Sequence, residues 1–263
     1  MSATDHIPAA GLLLLCRAAP DRVRPAAQLL RRPLLLAPAG EEWSVLVPAD
    51  ESWREDGAHL AAVAADWANA LTATESWPAV GLWWDADGAG FVVATGFRRT
   101  AGYTWLADGT PLGEAEALRT VRVRLGLDPV LDAQALEALT RTDSDADARA
   151  RLLGLVAVLG RAGLRLGPGL GPGAGEQELC AAAAALPMAE AVQWPGWRGG
   201  LESGVRAWMR GPRARMVGAA EVGTGLALLA WAGGRRRGWA ALGAALAVDG
   251  ALTLAYERWR RAS

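Results

Sequence analysis

Apolar residues in the first hundred positions occur as short blocks separated by Pro, Gly and Asp. Blocks of about four to eight residues between such separators are typical of buried strands, and we predict strands at residues 11–18, 33–38, 43–48, 79–84, 91–97 and 103–107. Two intervening segments differ from these blocks. Residues 22–30 follow the N-cap candidate Asp21, and the apolar positions of residues 57–71 recur every three or four residues, so both segments are predicted helices.

The predicted order is therefore strand, helix, strand, strand, helix, strand, followed by a hairpin. This order is typical of an α+β protein with a ferredoxin-like antiparallel sheet and helices on one of its faces. We assign this α+β sandwich domain to residues 1–110. Residues 111–166 are predicted to be a helical extension, because helical periodicity replaces the strand blocks at 114–125, 131–139 and 146–162.

The segment at residues 167–176, which begins GPGLGPGAG, is rich in Gly and Pro. Repeated Gly and Pro support neither a helix nor a strand ladder, so we interpret the segment as a linker and expect the folded domain to end near Leu166. Residues 177–215 are predicted to be a helical or interfacial segment.

Two apolar runs follow at residues 216–234 and 238–256, and each contains one charged residue, Glu221 or Asp249. A helix of this length is about 28 Å long, close to the ~30 Å thickness of the hydrocarbon core. We predict a transmembrane helical hairpin at residues 216–256, followed by a basic tail at 257–263. The alternative is an Ala-rich hairpin packed on the soluble domain, because each acid costs about 2.5–3.5 kcal/mol at a membrane centre.

Aromatic and basic residues bracket the two runs. Such residues mark the two interfaces of a membrane span, and the predicted interface set is Trp208, Trp231, Trp239, Tyr256, Trp259, Arg235, Arg236 and Arg237. Arg is more frequent on the outer flanks than in the turn, so both termini are predicted to be cytoplasmic at the cell membrane.

The two acids lie at similar distances from the turn, and each shares a helix face with a threonine. Thr224 follows Glu221 by three positions and Thr253 follows Asp249 by four, which places each pair on one side of its helix. One interpretation is a proton-binding or ion-contacting pair. The other is that the acids are protonated and hydrogen-bonded to a neighbouring helix or subunit.

Charge is distributed unevenly along the chain. Residues 1–197 contain 16 Arg and 24 acidic residues, whereas residues 198–263 contain 11 Arg and four acidic residues. A basic, apolar tail suggests a lipid bilayer as partner, together with another protein or a second copy of the hairpin. Arg98 and Arg99, close to Tyr103 and Trp105, could form a ligand-facing or RNA-facing sheet surface, but the acidic domain argues against nucleic acid.

Residues typical of catalysis are scarce. The chain has no Lys, only His6 and His59, and only Cys16 and Cys180. The acidic stretch at residues 143–147 lacks the Gly and Glu of a calcium loop, so we interpret it as helix capping. We therefore predict no catalytic residues, no cofactor and no metal.

The segments LLCRAAPDRVRPAAQLL, SVLVP, GLWWDADGAGFVVATGFRR and YTWLADGTP resemble those of uncharacterised actinobacterial membrane-associated proteins. The likeness covers about half of the chain and implies no activity. We expect a membrane-anchored cytosolic accessory or scaffold protein without catalytic activity. The alternatives are a ligand-binding sensor domain tethered to the membrane and a proton-coupled membrane component that uses Glu221 and Asp249.

Overall fold

The structure is a computed structural model that describes residues 10–50, 53, 59–143 and 145–194. Contacts between residues divide the chain into two compact units, Met1–Trp194 and Pro195–Ser263. Every described residue belongs to the first unit, so the fold and the site are those of this unit.

The described residues form seven strands and six helices. In chain order these are β1 (Gly11–Cys16), α1 (Pro20–Leu29), β2 (Leu34–Pro38), β3 (Ser44–Pro48), α2 (Leu60–Thr72), β4 (Ala79–Trp84), β5 (Gly88–Ala94), β6 (Ala101–Leu106), α3 (Ala115–Arg124), α4 (Leu131–Ala138), α5 (Ala148–Arg161), α6 (Glu176–Ala184) and β7 (Glu190–Val192).

The strands form one antiparallel sheet in the order β6-β5-β4-β1-β3-β2-β7. The elements from β1 to β4 follow one another in the predicted succession, and β5 and β6 form the predicted hairpin. The α+β class with helices packed on an antiparallel sheet is therefore confirmed. Strand β7 lies within residues 177–215, for which we predicted a helical or interfacial segment, and it pairs with β2 at the sheet edge.

The hairpin between β5 and β6 differs from the prediction. The predicted strand at residues 91–97 begins earlier, at Gly88, and ends at Ala94. The earlier start arises because Asp85 Oδ1 accepts hydrogen bonds from the backbone N–H groups of Asp87 and Gly88, at 2.9 and 3.0 Å, which closes a short turn. Gly96 has a φ of 53°, so Phe97 lies in the turn that follows the strand.

Helices cover both faces of the sheet. Leu12, Leu14 and Cys16 of β1 pack toward α1 and α2, whereas Leu13 and Leu15 pack toward the layer formed by α3, α4, α5 and α6. We expected helices on one face only. The second layer explains why β1 has no polar positions, because a strand buried on both sides needs apolar residues on each.

The Gly/Pro-rich segment that we interpreted as a linker is packed against this unit. Leu170 is buried, the carbonyl of Ala174 accepts a hydrogen bond from Trp84 Nε1 at 3.1 Å, and the carbonyl of Pro172 accepts one from Arg149 Nε at 3.0 Å. Helix α6 and strand β7 then return to the same sheet. The first unit thus continues through the segment to Trp194.

Two further indole groups connect the sheet to the helical layer that faces it. Trp43 Nε1 donates a hydrogen bond to the carbonyl of Ala162 at 3.0 Å, and Trp105 Nε1 donates one to the carbonyl of Leu139 at 2.9 Å. Both tryptophans are fully buried. A buried indole is stable when its N–H has a partner, so these residues fix where α4 and α5 end relative to the strands.

Candidate functional site

The residues that we predicted for the membrane hairpin lie outside the described residues. This applies to the interface set and to the intramembrane polar set, namely Trp208, Trp231, Trp239, Tyr256, Trp259, Arg235, Arg236, Arg237, Glu221, Asp249, Thr224 and Thr253. Among the residues that the structure describes, no helix has both the length and the hydropathy needed to cross a bilayer.

The aromatic sheet surface considered for a ligand or RNA is not open. Tyr103 and Trp105 are buried beneath the helical layer of α3 to α6, so their rings are not available for stacking on a base. Arg98 and Arg99 are exposed, but they lie in the turn before β6. The interpretation as a binding sheet face was therefore wrong, because the helical layer covers that face.

The acidic stretch near residue 145 serves helix capping, as interpreted from the sequence. Asp147 is the N-cap of α5, and its side chain accepts a hydrogen bond from the N–H of Ala150 at 2.7 Å. Asp143 Oδ1 accepts one from the N–H of Asp145 at 3.0 Å. Within the described ranges, no group of three or more His, Cys, Asp and Glu side chains has the arrangement of a metal site.

Both cysteines are free thiols in structural surroundings. Burial raises the pKa of Cys16, and burial followed by the charges of Glu176 and Asp50 raises the pKa of Cys180. Cys180 Sγ also donates a hydrogen bond to the carbonyl of Pro48 at 2.9 Å. A raised pKa keeps a thiol protonated at neutral pH and therefore weakly nucleophilic.

A polar cleft lies between the edge strand β6 and helix α3, and we call it the edge cleft. Its volume is about 730 Å³. One end of the cleft contains Arg99 and Arg124, the last residue of α3. The other end contains Glu114, which precedes α3, and Glu116, which lies in its first turn. The remaining lining residues are Thr100, Ala101, Gly102, Pro111, Leu112, Gly113, Ala117 and Thr120.

The free side of β6 is covered along only part of its length. The backbone carbonyl of Thr104 accepts a hydrogen bond from the N–H of Leu112 at 2.8 Å, and the N–H of Leu106 donates one to the backbone carbonyl of Thr110 at 2.9 Å. Backbone groups of an antiparallel strand alternate in direction, so Gly102 has its N–H and C=O on the same side as those of Thr104. Gly102 lines the edge cleft, which places backbone hydrogen-bonding groups along its wall.

Arg124 holds the cleft and the neighbouring turn together. Its Nη1 donates to the carbonyl of Val93 at 3.1 Å, and its Nη2 donates to the carbonyl of Arg99 at 2.6 Å. Burial, followed by the positive charge of Arg98, lowers the pKa of this guanidinium. One side chain of α3 therefore fixes both the end of β5 and the chain that enters β6.

The turn from Gly96 to Arg99 is the second candidate, and we call it the basic turn. The N–H of Arg98 donates to the carbonyl of Thr95 at 3.2 Å, which closes the turn. Phe97 is 94% exposed. The apolar block at residues 91–97 predicts a strand that includes Phe97. The signal that locates Phe97 correctly is the preceding Gly96, since Gly readily adopts a positive φ.

Comparison of the chain with protein-family models, with curated proteins and with solved structures gave no match.

Proposed function

We propose that this chain is a membrane-anchored accessory or scaffold protein without catalytic activity. In this proposal the unit that ends at Trp194 binds a partner polypeptide, and the hairpin at residues 216–256 holds it at the cytoplasmic face of the cell membrane. The edge cleft is the observation that supports the scaffold role, because it combines the open end of a strand edge with separated charges of opposite sign.

An extended polypeptide segment fits these features. Strand edges bind extended peptides through backbone hydrogen bonds, and neighbouring side chains supply the specificity. The ten residues of α3 extend over about 15 Å, the length of four or five extended residues at ~3.3 Å each. We infer a partner segment with an acidic side chain near Arg99 and Arg124 and a basic one near Glu114 and Glu116.

Photo-crosslinking in cells tests the scaffold role. A photoreactive amino acid at Thr120, which lines the cleft, is expected to give a discrete adduct with a partner protein. The adduct is expected to decrease at least about tenfold in the variant Glu114→Arg/Glu116→Arg, because reversal of both charges places like charges together and leaves the arginines of the cleft unchanged.

The matched control for that experiment is Arg141→Glu, at an exposed arginine that pairs with Glu137 and does not line the cleft. This variant should leave the adduct unchanged. Equal loss of the adduct in both variants, or no adduct from Thr120, would contradict a polypeptide site in the cleft.

The membrane anchor is tested by fractionation of the full chain. We expect the protein to remain with membranes after alkaline carbonate or high salt, because the runs at residues 216–234 and 238–256 each contain one charged residue and have the length of a span. Release by salt alone would reduce the tail to a peripheral contact between Arg and lipid headgroups.

A ligand-binding sensor is the second candidate, and a pocket between α3 and α4 favours it. The pocket has a volume of about 350 Å³ and combines the apolar Leu118 and Leu136 with the charged Arg119, Arg122 and Glu137. This volume lies at the lower end of the range for small-molecule sites. A small molecule that copurifies with the protein and is lost in Ala133→Trp, at a partly buried residue that lines the pocket, would favour the sensor over the scaffold.

The proton-coupled alternative concerns Glu221 and Asp249, which lie outside the described residues, and it stays a prediction.

For the fold, we interpret β4-β1-β3-β2 with α1 and α2 as a ferredoxin-like unit. The split order of its strands and the helices that connect them support this interpretation.

A further inference from the structure

The basic turn combines an aromatic side chain with two cationic ones at the end of a hairpin. Phe97 is 94% exposed, and Arg98 and Arg99, which follow it directly, are also exposed. Among the described residues, Phe97 is the most exposed of the large hydrophobic side chains, whereas aromatic residues are mostly buried in folded proteins. The combination fits a partner that offers both an apolar phase and negative charge.

We propose that the basic turn inserts Phe97 into the interface of an anionic lipid bilayer, with Arg98 and Arg99 on the lipid headgroups. Aromatic rings are favoured at the depth of the headgroups, and Arg near an anionic leaflet is attracted by its negative surface potential. An anionic bilayer presents its apolar interior and its negatively charged headgroups at one surface. This contact is additional to the proposed hairpin and rests on it only for bringing a bilayer within reach.

The turn is held in position for this contact. Arg124 donates to the carbonyls of Val93 and Arg99 on the two sides of the turn, and Gly96 and the bond from Arg98 to Thr95 fix the bend. A preorganised loop loses less conformational entropy on binding than a disordered one. Phe97 is therefore presented to the lipid without refolding of the unit.

The charges beside the turn are predominantly positive. Arg124 is close enough to Arg98 for their charges to interact, and Arg17, which hydrogen-bonds the carbonyl of Leu125 after α3, lies at the same end of the sheet. Glu42 Oε2 lies 4.0 Å from Arg17 Nη2. Glu75 is half-buried, and its backbone carbonyl lies beside Gly96. The acids thus flank the turn, whereas its tip is cationic.

A fluorescent reporter on the full chain in vesicles tests the proposal. The environment-sensitive dye is attached to Thr100→Cys, beside the turn, in a Cys180→Ser background. Cys16 is fully buried and reacts slowly with the dye. We expect a blue shift of the emission, and quenching by spin-labelled lipid, in phosphatidylcholine vesicles that contain phosphatidylglycerol. Pure phosphatidylcholine vesicles should give neither, and soluble glycerophosphoglycerol should not compete.

Matched variants assign the signal to the turn. Each variant is compared by the amount of vesicle phosphatidylglycerol that gives a half-maximal signal. Phe97→Ser is expected to raise this amount about tenfold, and each of Arg98→Gln and Arg99→Gln about fivefold. Met188→Ser removes an apolar side chain that is 81% exposed elsewhere on the unit, and Arg119→Gln/Arg141→Gln removes two exposed arginines, one within α3 and one after α4. These controls should leave the signal unchanged.

The proposal is overturned if the signal does not depend on phosphatidylglycerol, or if Phe97→Ser changes it no more than Met188→Ser. If the turn binds a protein and not a bilayer, the dye signal would not depend on phosphatidylglycerol. Carbonate extraction of the same vesicles reports on the hairpin separately. Protein that is extracted by carbonate but gives the dye signal beforehand would refute the anchor and support the turn, whereas protein that resists carbonate without a dye signal would do the reverse.

Discussion

A chain that ends after Leu166 is expected not to fold, whereas a chain that ends after Trp194 is expected to fold. The shorter chain lacks Leu170, Leu179 and Ala183, which are buried in the core between the sheet and its second helical layer. It also lacks β7, which pairs with β2, and the carbonyl of Ala174 that binds the buried indole of Trp84.

The expected loss is large relative to the stability of a domain. Removal of a buried Leu side chain costs about 2–5 kcal/mol, and two are lost together with a strand, whereas whole domains are stable by about 5–15 kcal/mol. Circular dichroism, size-exclusion chromatography and urea titration of the two chains measure the difference. A cooperative urea transition of the shorter chain at the same midpoint as that of the longer one would show that residues 167–194 are dispensable.

The strands could be predicted from the sequence because they coincide with apolar blocks. The block Gly11–Cys16 is β1, and it was predicted as a buried strand, although a strand without polar positions is the kind that is buried on both faces. Helices were predicted on only one face of the sheet, although α3, α4 and α5 were predicted nearly where they occur. A periodic pattern shows that a helix has an apolar side, but not which apolar surface that side covers.

The Gly/Pro segment was interpreted as a linker because composition alone does not show packing. Its contacts run from side chains elsewhere to its own backbone carbonyls, as with Arg149 and Pro172. Such bonds require no particular residue at the accepting position, because every residue has a backbone carbonyl. Sequence patterns therefore contain no signal for them.

The edge cleft was missed for the same reason. Arg124 lies 31 residues from Val93 and 25 from Arg99, and it binds the backbone carbonyl of each. The basic turn was missed through a shift of strand boundaries, since the end of β5 at Ala94 depends on its hairpin partners more than on local propensity. An exposed Phe97 could be recognised only once Gly96 was known to begin the turn.

Replacement of Trp105 by Ala is expected to lower the free energy of unfolding by about 3–5 kcal/mol. The Trp105 side chain is fully buried, and its ring centroid lies 5.2 Å from that of Tyr103 and 6.0 Å from that of Phe91. Loss of the indole removes these contacts and leaves a cavity between β6 and the helical layer. Urea unfolding followed by circular dichroism measures the change.

Replacement of Trp105 by Phe separates the ring from its hydrogen bond. The carbonyl of Leu139 accepts from Trp105 Nε1 at 2.9 Å and also from Arg151 Nη1 at 3.1 Å, so it keeps a partner when the indole N–H is removed. A net hydrogen bond contributes about 0.5–1.5 kcal/mol, and the smaller ring leaves only part of the cavity. We therefore expect Trp105→Phe to cost less than half as much as Trp105→Ala. Equal costs for the two variants would mean that the hydrogen bond to α4, rather than the packing of the ring, holds β6 beneath the helices.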